Sequence, residues 1–333
     1  MYKKGKFLTL RTITPLHVGT GEGVGIIDLP IQREKHTQIP KVEGSSLKGA
    51  LREAFEAVTQ QNDEEAINVH RIFGIDEDTP GFKEKKEEIR SRLGFKKDDP
   101  LSISGCVAIS DAFPVLFPVR SAKNVFALVT SPLIMSRLFM LMQAVEPNNK
   151  YASEIESLSM LADSFEENKL QAFVIDGTKL IVKDNKIVLE DLTFEADNSY
   201  SGALEKLSKF VEENFVVDKY LKNKILYDIV LIPDDIFKNF VLQGTEVITR
   251  TKIDNKTGTV SKTALWTEEY LPTETLLISG VFISNEFSKS DNNLSAEDVE
   301  NILTQIIDGR LLNTFQLGGN STIGKGILKL KIN

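Results

Sequence analysis

Cysteine, histidine and tryptophan are scarce in these 333 residues, with one Cys, three His and one Trp. The single Cys106 excludes an internal disulfide and suits a reducing compartment such as the cytoplasm. It lies in the apolar run SISGCVAIS, where a small buried hydrophobe is expected rather than a nucleophile. One cysteine with His17, His36 and His70 leaves too few ligands for a structural zinc site. Long apolar runs are also missing: no window approaches the roughly 18 residues of a membrane span. The start, MYKKGKFLTLRT, is basic but lacks the apolar stretch of a signal peptide, so no membrane partner is expected.

An excess of positive charge is lacking as well. The net charge of −8 argues against general nucleic-acid binding, which needs local cations to neutralise phosphate. The distribution is uneven, however. Residues 1–52 hold nine Lys and Arg against four acids, a local +5 that leaves the remainder at −13. A basic N-terminal face on an acidic body is compatible with one RNA groove.

Residues 6–14, KFLTLRTIT, alternate as a half-buried strand would. The glycine-rich stretch from His17 to Gly25 leads into Ile26-Ile27-Asp28-Leu29-Pro30. Ser45 or Ser46 can cap a helix through LKGALREAFEAVTQ, with Leu47, Leu51, Ala54, Phe55 and Val58 on one apolar face. The highly charged residues 61–100 read as an exposed helical insertion, and 150–225 as a mixed insertion with a hairpin turning near Asn185. Strand-like runs fall at 101–110, 125–130 and in ILYDIVLI. A helix is expected over 131–145, an acidic helix near 295–307, and a last strand in ILKLKIN. A long hairpin spans 244–272 and turns at Asp254–Gly258. Strands grouped around a few helices, without regular βα alternation, give an α+β class and one elaborated domain over 1–333.

Two glycine loops mimic nucleotide sites. Gly19, Gly21, Gly23 and Gly25 are spaced two apart, which misses the dinucleotide register, and Pro30 denies the helix that would follow. Residues 319–325 match G-x-x-x-x-G-K, but Gly326 stands where a magnesium-holding Ser or Thr belongs, and a strand-like run follows. Both nucleotide readings fail. What is left is backbone that can approach a phosphate closely, with Lys325 as an added cation, or else tight turns with no ligand.

The turn LGGNSTIGKG at 317–326, just before the last strand, resembles the glycine-rich loop of the RAMP superfamily of CRISPR proteins. The stretch 14–52, from TPLHVGTGEG to SSLKGALR, is similar to the backbone subunit of the type III-B effector complex. So are 109–133, ISDAFPVLFPVRSAKNVFALVTSPL, and 249–272, TRTKIDNKTGTVSKTALWTEEYLP. The resemblance implies a modified RRM-like, ferredoxin-type palm with insertions and a protruding thumb hairpin. It implies partners too: guide CRISPR RNA, target RNA, copies of the chain in a helical filament, and the other subunits of the complex. The thumb of one copy would kink the guide–target duplex, and each copy would act as an endoribonuclease at the kinked target phosphate. Weak or no cutting by the free subunit follows from the need for a neighbour's thumb.

Asp28 is the matching carboxylate. It would serve as general base or hold a divalent cation, expected to be magnesium, while a ribose 2′-OH attacks the adjacent phosphate. A turn-forming Asp is the plainer reading of the residue alone. His17 is a candidate phosphate donor or general acid, or a structural histidine. Glu246, near the hairpin base, is a further catalytic candidate. RNA contacts are expected from Gln32 and Arg33 beside Asp28, and from Ser45, Lys48 and Arg52 at the start of the first helix. Arg120 follows an apolar run and needs a phosphate or an acidic partner. Arg250, Lys252 and Trp266 on the hairpin suit base-step insertion, though Trp266 also suits a core anchor. Gly318, Gly319, Gly324, Lys325 and Gly326 form the C-terminal RNA loop. Two rival readings are a non-catalytic RNA-binding scaffold and a RAMP-type processing ribonuclease acting on precursor guide RNA.

Overall fold

In the computed structural model of the chain, the first strand runs through the interior of a large sheet. The structure describes residues 2–21, 25–75, 87–88, 90–91, 93, 103–166, 169–287 and 293–333. In chain order the strands are β1 (Lys4–Thr12), β2 (Gly74–Ile75), β3 (Ile103–Ser104), β4 (Val107–Ile109) and β5 (Phe113–Arg120). They continue with β6 (Phe126–Thr130), β7 (Gln171–Val174), β8 (Lys186–Leu189), β9 (Leu192–Asp197) and β10 (Ile229–Leu231). The last are β11 (Glu246–Ile253), β12 (Val260–Tyr270), β13 (Leu276–Ile283), β14 (Thr314–Gln316) and β15 (Ile327–Ile332). The helices are α1 (Gly44–Thr59), α2 (Asp63–Phe73), α3 (Pro132–Val145), α4 (Ala152–Ser159), α5 (Ser201–Asn214), α6 (Lys219–Tyr227), α7 (Asp234–Gln243) and α8 (Ala296–Gln305).

One sheet carries the order β14-β15-β1-β13-β5-β6-β10-β7-β9-β8, with β4 also on β13. Pairing is antiparallel except for β10 on β6 and β7 on β9, which places the chain in the α+β class. The expectation of a half-buried first strand is corrected. From Phe7 to Thr12 every residue of β1 is buried, because helices cover both sheet faces. Leu8 lies on one face with Leu51 and Phe55 of α1, Phe73 of α2 and Leu303 of α8. Phe7 on the other packs edge-on against Phe210 of α5, at 5.7 Å between ring centres. Polar residues of that second face need partners. Thr9 donates to the Asn214 carbonyl at 2.6 Å, and Arg11 binds Glu274 and Asp218 at 2.9 and 2.7 Å.

Other boundaries shift for local reasons. Helix α1 starts at Gly44, whose N–H donates to Asp111 Oδ1 at 2.8 Å, so the cap comes from a distant aspartate and not from Ser45 or Ser46. ILYDIVLI splits, with ILY ending α6 and Ile229–Leu231 forming β10. The hairpin of the middle segment is β8–β9, turning at Glu190 and Asp191, and Asp184–Asn185 makes a smaller turn closed by one Lys183–Lys186 bridge. Within 150–225, strands β7, β8 and β9 extend the main sheet. Of 61–100, residues 63–73 form α2, while 76–86, 89, 92 and 94–100 lie outside the described residues. Among the described residues no helix is long and apolar enough to cross a membrane.

The hairpin β11–β12 stands apart as its own two-stranded sheet. Its turn falls at Asp254–Gly258 as expected. Asp254 Oδ1 accepts from the N–H of Lys256 and Thr257 at 2.7 and 3.2 Å, and Gly258 adopts φ +69°.

Candidate cleavage site and nucleic-acid interface

The segment after β1 folds back along the free edge of β12. Leu16 pairs with Leu271, and Leu29 bridges Glu268 in the parallel sense. The Leu29 N–H donates to the Thr267 carbonyl at 3.0 Å, and the Glu269 N–H donates to Leu29 at 3.0 Å. This edge pairing delivers Asp28 to the base of the hairpin with its side chain exposed. Asp28 Oδ2 accepts from the Thr267 N–H at 2.7 Å and from the Thr267 hydroxyl at 2.9 Å. These two bonds hold its carboxyl below the usual carboxylate range, so it is ionised at neutral pH.

Strand alternation sends Thr267 to one side of β12 and Glu268 and Tyr270 to the other. His17 belongs to the second side, where its ring lies 5.4 Å from Tyr270. Its Nδ1 is 2.7 Å from the Glu269 carbonyl, an acceptor only, which assigns the proton to Nδ1 and leaves Nε2 as acceptor. Nε2 faces Gly19, where a Cβ would approach to 2.7 Å. Asp28 and His17 thus flank one strand instead of facing each other. The glycine-rich loop closes over His17: the Gly319 N–H donates to the His17 carbonyl at 2.9 Å. Gly318, at φ +80°, could not carry a Cβ without striking that same carbonyl.

Between the loop and the hairpin lies a buried carboxylate, Glu268, 4% exposed. Its Oε1 accepts from Trp266 Nε1 at 2.7 Å, and its Oε2 from the Tyr270 hydroxyl and from Asn320 Nδ2 at 2.9 Å. Arg250 stands 3.4 Å away. Burial pushes Glu268 up, but the bonds from Trp266 and Tyr270 and the charge of Arg250 outweigh it, leaving the carboxyl below its ordinary value. Burial, then the bond to Glu268, raises Tyr270. Lys325 stands 4.8 Å above the Tyr270 ring. Glu268, Tyr270, Thr267 and Asn320 escaped the sequence reading. The available signal was the pair of glutamates in WTEEY, charges placed where a strand enters the core.

The remaining candidates divide by orientation. Glu246 pairs across from Tyr270, so it shares the face of Glu268. Gln32 joins the Asp28 segment to α1, accepting from the Glu43 N–H at 2.8 Å and donating to Ser46 at 3.4 Å. Arg33 points inward to Glu269, at 2.5 Å, and to the carbonyls of Gln38 and Val241. Lys48 donates to the Val107 carbonyl at 2.9 Å, and burial lowers its pKa. Arg52 pairs with Glu56 at 2.8 Å. Ser45 is exposed on the first turn of α1. Arg120 finds acidic partners, Glu190 at 3.0 Å and Asp191 at 3.8 Å. Lys252 is exposed beyond Arg250 on the hairpin, whereas Gly324 and Lys325 sit on the loop ahead of the buried Gly326. A cleft of about 500 Å³ at the hairpin base, lined by Arg120, Phe126, Phe240 and Pro272, holds none of the catalytic candidates.

The expected basic N-terminal face is corrected by these pairings. Lys4 and Lys6 bind Glu300, Arg11 binds Glu274 and Asp218, and Lys41 binds Asp111 and Glu43. The local excess of cations serves largely to meet the acids of the rest of the chain.

A sheet covered on both faces, a hairpin rising from it, and a glycine-rich loop before the last strand define the class. The RAMP superfamily model matches residues 9–329, and the chain belongs to that superfamily. It is 34% identical over 329 residues to the protein of Pyrococcus furiosus called CRISPR system Cmr endoribonuclease Cmr4, covering 99% of this chain and 96% of that one. A crystal structure of oligomeric Cmr4 from the same organism superposes with a TM-score of 0.65 at 27% identity, over 99% and 98% of the two chains. The fold also matches a chain of the type III-B Cmr-beta complex bound to cognate target RNA, at TM-score 0.68, 20% identity and coverage of 99% and 98%.

Proposed function

We propose that this chain is the RNA-binding backbone subunit of a type III-B CRISPR effector complex and the endoribonuclease that cuts its guide-paired target RNA. The observation that carries the reading is Asp28: an exposed carboxylate, held ionised by Thr267 at the foot of a protruding hairpin. The Pyrococcus furiosus relative named as an endoribonuclease supports it. The partners are guide RNA, target RNA, further copies of the chain and the other subunits of the complex, and the compartment is the cytoplasm.

Cleavage proceeds by attack of a target ribose 2′-OH on the adjacent phosphate: the new P–O2′ bond closes a 2′,3′-cyclic phosphate, the P–O5′ bond breaks, and the departing 5′-oxygen takes up a proton in place of the one the 2′-OH gives up. A carboxylate held below its usual range is a weak proton acceptor at neutral pH, so Asp28 acts chiefly through its charge. Magnesium is commonly bound by one or two carboxylates, the remaining positions going to water and substrate phosphate. Asp28 Oδ1, which accepts no hydrogen bond among the described residues, suits that donor set. No group of three or more His, Cys, Asp or Glu among the described residues forms a closed cage. The ion would offset charge developing on the phosphate. His17 Nε2, uncrowded by a side chain at Gly19, is placed to exchange a proton on the other side of β12.

The test is cleavage of a guide-complementary RNA by the assembled complex, wild type beside Asp28→Asn, with magnesium and with chelator. Regularly spaced cuts that vanish in the variant and in chelator, with guide binding retained, are expected. Unchanged cuts in the variant would leave this chain as a scaffold.

A further inference from the structure

Among the described residues, the glycine-rich loop hydrogen-bonds to the hairpin through one side chain. Asn320, in the left-handed region at φ +65°, donates from Nδ2 to Glu268 Oε2 at 2.9 Å and to the Tyr270 hydroxyl at 3.0 Å. We infer that Asn320 is a positioning residue for RNA cleavage, which holds Glu268 as an acceptor and fixes the direction of the Tyr270 hydroxyl beside His17. The inference rests on the cleavage reading above and extends it to the loop.

A hydroxyl can donate once and can also accept. With Asn320 donating to it, the Tyr270 oxygen turns its own proton to Glu268, the pairing the structure records. Without that amide, the Tyr270 oxygen keeps only the longer donated contact from Arg250 at 3.5 Å, and Glu268 loses one of its donors. The conformation alone does not call for this side chain, because glycine adopts the left-handed region as readily. The backbone of the same loop holds the His17 carbonyl through Gly319, and Lys325 covers the Tyr270 ring. Loop, histidine, tyrosine and carboxylate are therefore tied together on the side of β12 opposite Asp28, so an RNA phosphate seated on the loop would bear on the cleavage site through that strand.

Several ionisable groups surround Glu268. Arg250 and Glu246 face it from β11, Tyr270 from β12, His17 from the segment after β1, and Lys325 from the loop. Asn320→Asp keeps the size and the tolerance for positive φ but sets a second carboxylate against Glu268, and two carboxylates sharing a site cannot both ionise freely. Asn320→Gly keeps the loop conformation and removes the amide.

The chain supplies its own reporter, because its one tryptophan, Trp266, donates to Glu268. Trp266 fluorescence of the full chain should show, in Asn320→Asp, an added proton-linked transition raised above the ordinary carboxylate range, as one of two carboxylates sharing a site is held protonated. In the assembled complex, single-turnover cleavage by Asn320→Asp should fall at neutral pH and recover as pH drops through that transition. Asn320→Gly should lose about 10- to 100-fold at every pH, with guide and target binding unchanged. Emission of Asn320→Asp that titrates as in the wild type, or cleavage by Asn320→Gly within about twofold of wild type, would overturn the inference. If Asp28→Asn still cuts, the cleavage reading fails at Asp28, and the Trp266 titration still decides the role of Asn320.

Discussion

Thr267 grips Asp28 three times: its backbone N–H at 2.7 Å and its hydroxyl at 2.9 Å donate to Oδ2, and the hydroxyl accepts from the Asp28 N–H at 3.0 Å. One residue of the hairpin thus sets both the place and the charge of a carboxylate carried by a loop near the other end of the chain. The backbone bond survives replacement by any residue but proline, whereas a residue without a hydroxyl loses the bonds that Thr267 Oγ1 makes.

Thr267→Val should therefore leave Asp28 near its position but less firmly held. Losing a supporting bond of this kind typically costs about 10- to 100-fold in activity. The pH profile separates this from simple misfolding. Asp28 lies below the ordinary carboxylate range, so wild-type cleavage should show no acid limb from it above about pH 4. Without the hydroxyl, the limb should move up toward the ordinary value. Rates measured from acid to neutral pH, with target binding held saturating, would sink the idea if the two profiles coincide.

A buried pair elsewhere in the fold concerns stability alone. Lys224 and Asp228 are 2% and 1% exposed and meet at 3.0 Å. Lys224 also donates to the carbonyls of Asn124 and Phe126, and Asn124 Nδ2 donates to Asp228 at 2.5 Å. Together they fasten the turn between β5 and β6 to the end of α6. Burial raises Asp228 more than Lys224 and Asn124 lower it. A carboxyl raised on folding gives its full stabilisation below its unfolded value, about pH 4, and loses it as pH rises through the folded value. Lys224→Met strands the carboxylate, which should cost about 3–5 kcal/mol at neutral pH. The loss should shrink at acid pH as Asp228 takes up a proton. Urea midpoints at neutral and acid pH test this, and an equal loss at both would refute it.

Much of this was legible in the sequence. Period-two patterning marked β1, and the turn residues Asp254 to Gly258 marked where the hairpin reverses. The glycine-rich loop before the last strand was visible because Gly318 and Gly326 need positive φ that few other residues adopt. What was not legible depends on contacts across the chain. Nothing near Gly44 announces that Asp111 caps α1, and nothing near Arg33 announces Glu269. The two-faced burial of β1 was hidden because Thr9 and Arg11 look solvent-facing until Asn214, Asp218 and Glu274 arrive to satisfy them. Asn320 read as one more turn residue, since its partners lie some fifty positions away.

Charge is where sequence and structure diverge most, and the divergence can be measured. Lys252 and Lys256 are exposed on the hairpin, whereas Lys41 is held between Asp111 and Glu43, whose bonds raise its pKa. A cation already neutralised by the fold releases few counterions when RNA binds, but an exposed one that meets a phosphate releases nearly its full share. In the assembled complex, replacing Lys252 and Lys256 by Gln should lower the slope of log affinity for target RNA against log salt by about 0.7 to 0.9 per lysine. The weakening should be alike for all guide-matched sequences, as expected of backbone contacts. Lys41→Gln should leave the slope unchanged. If the hairpin variant keeps the wild-type slope while Lys41→Gln lowers it, the RNA path runs over the N-terminal stretch and not along the hairpin.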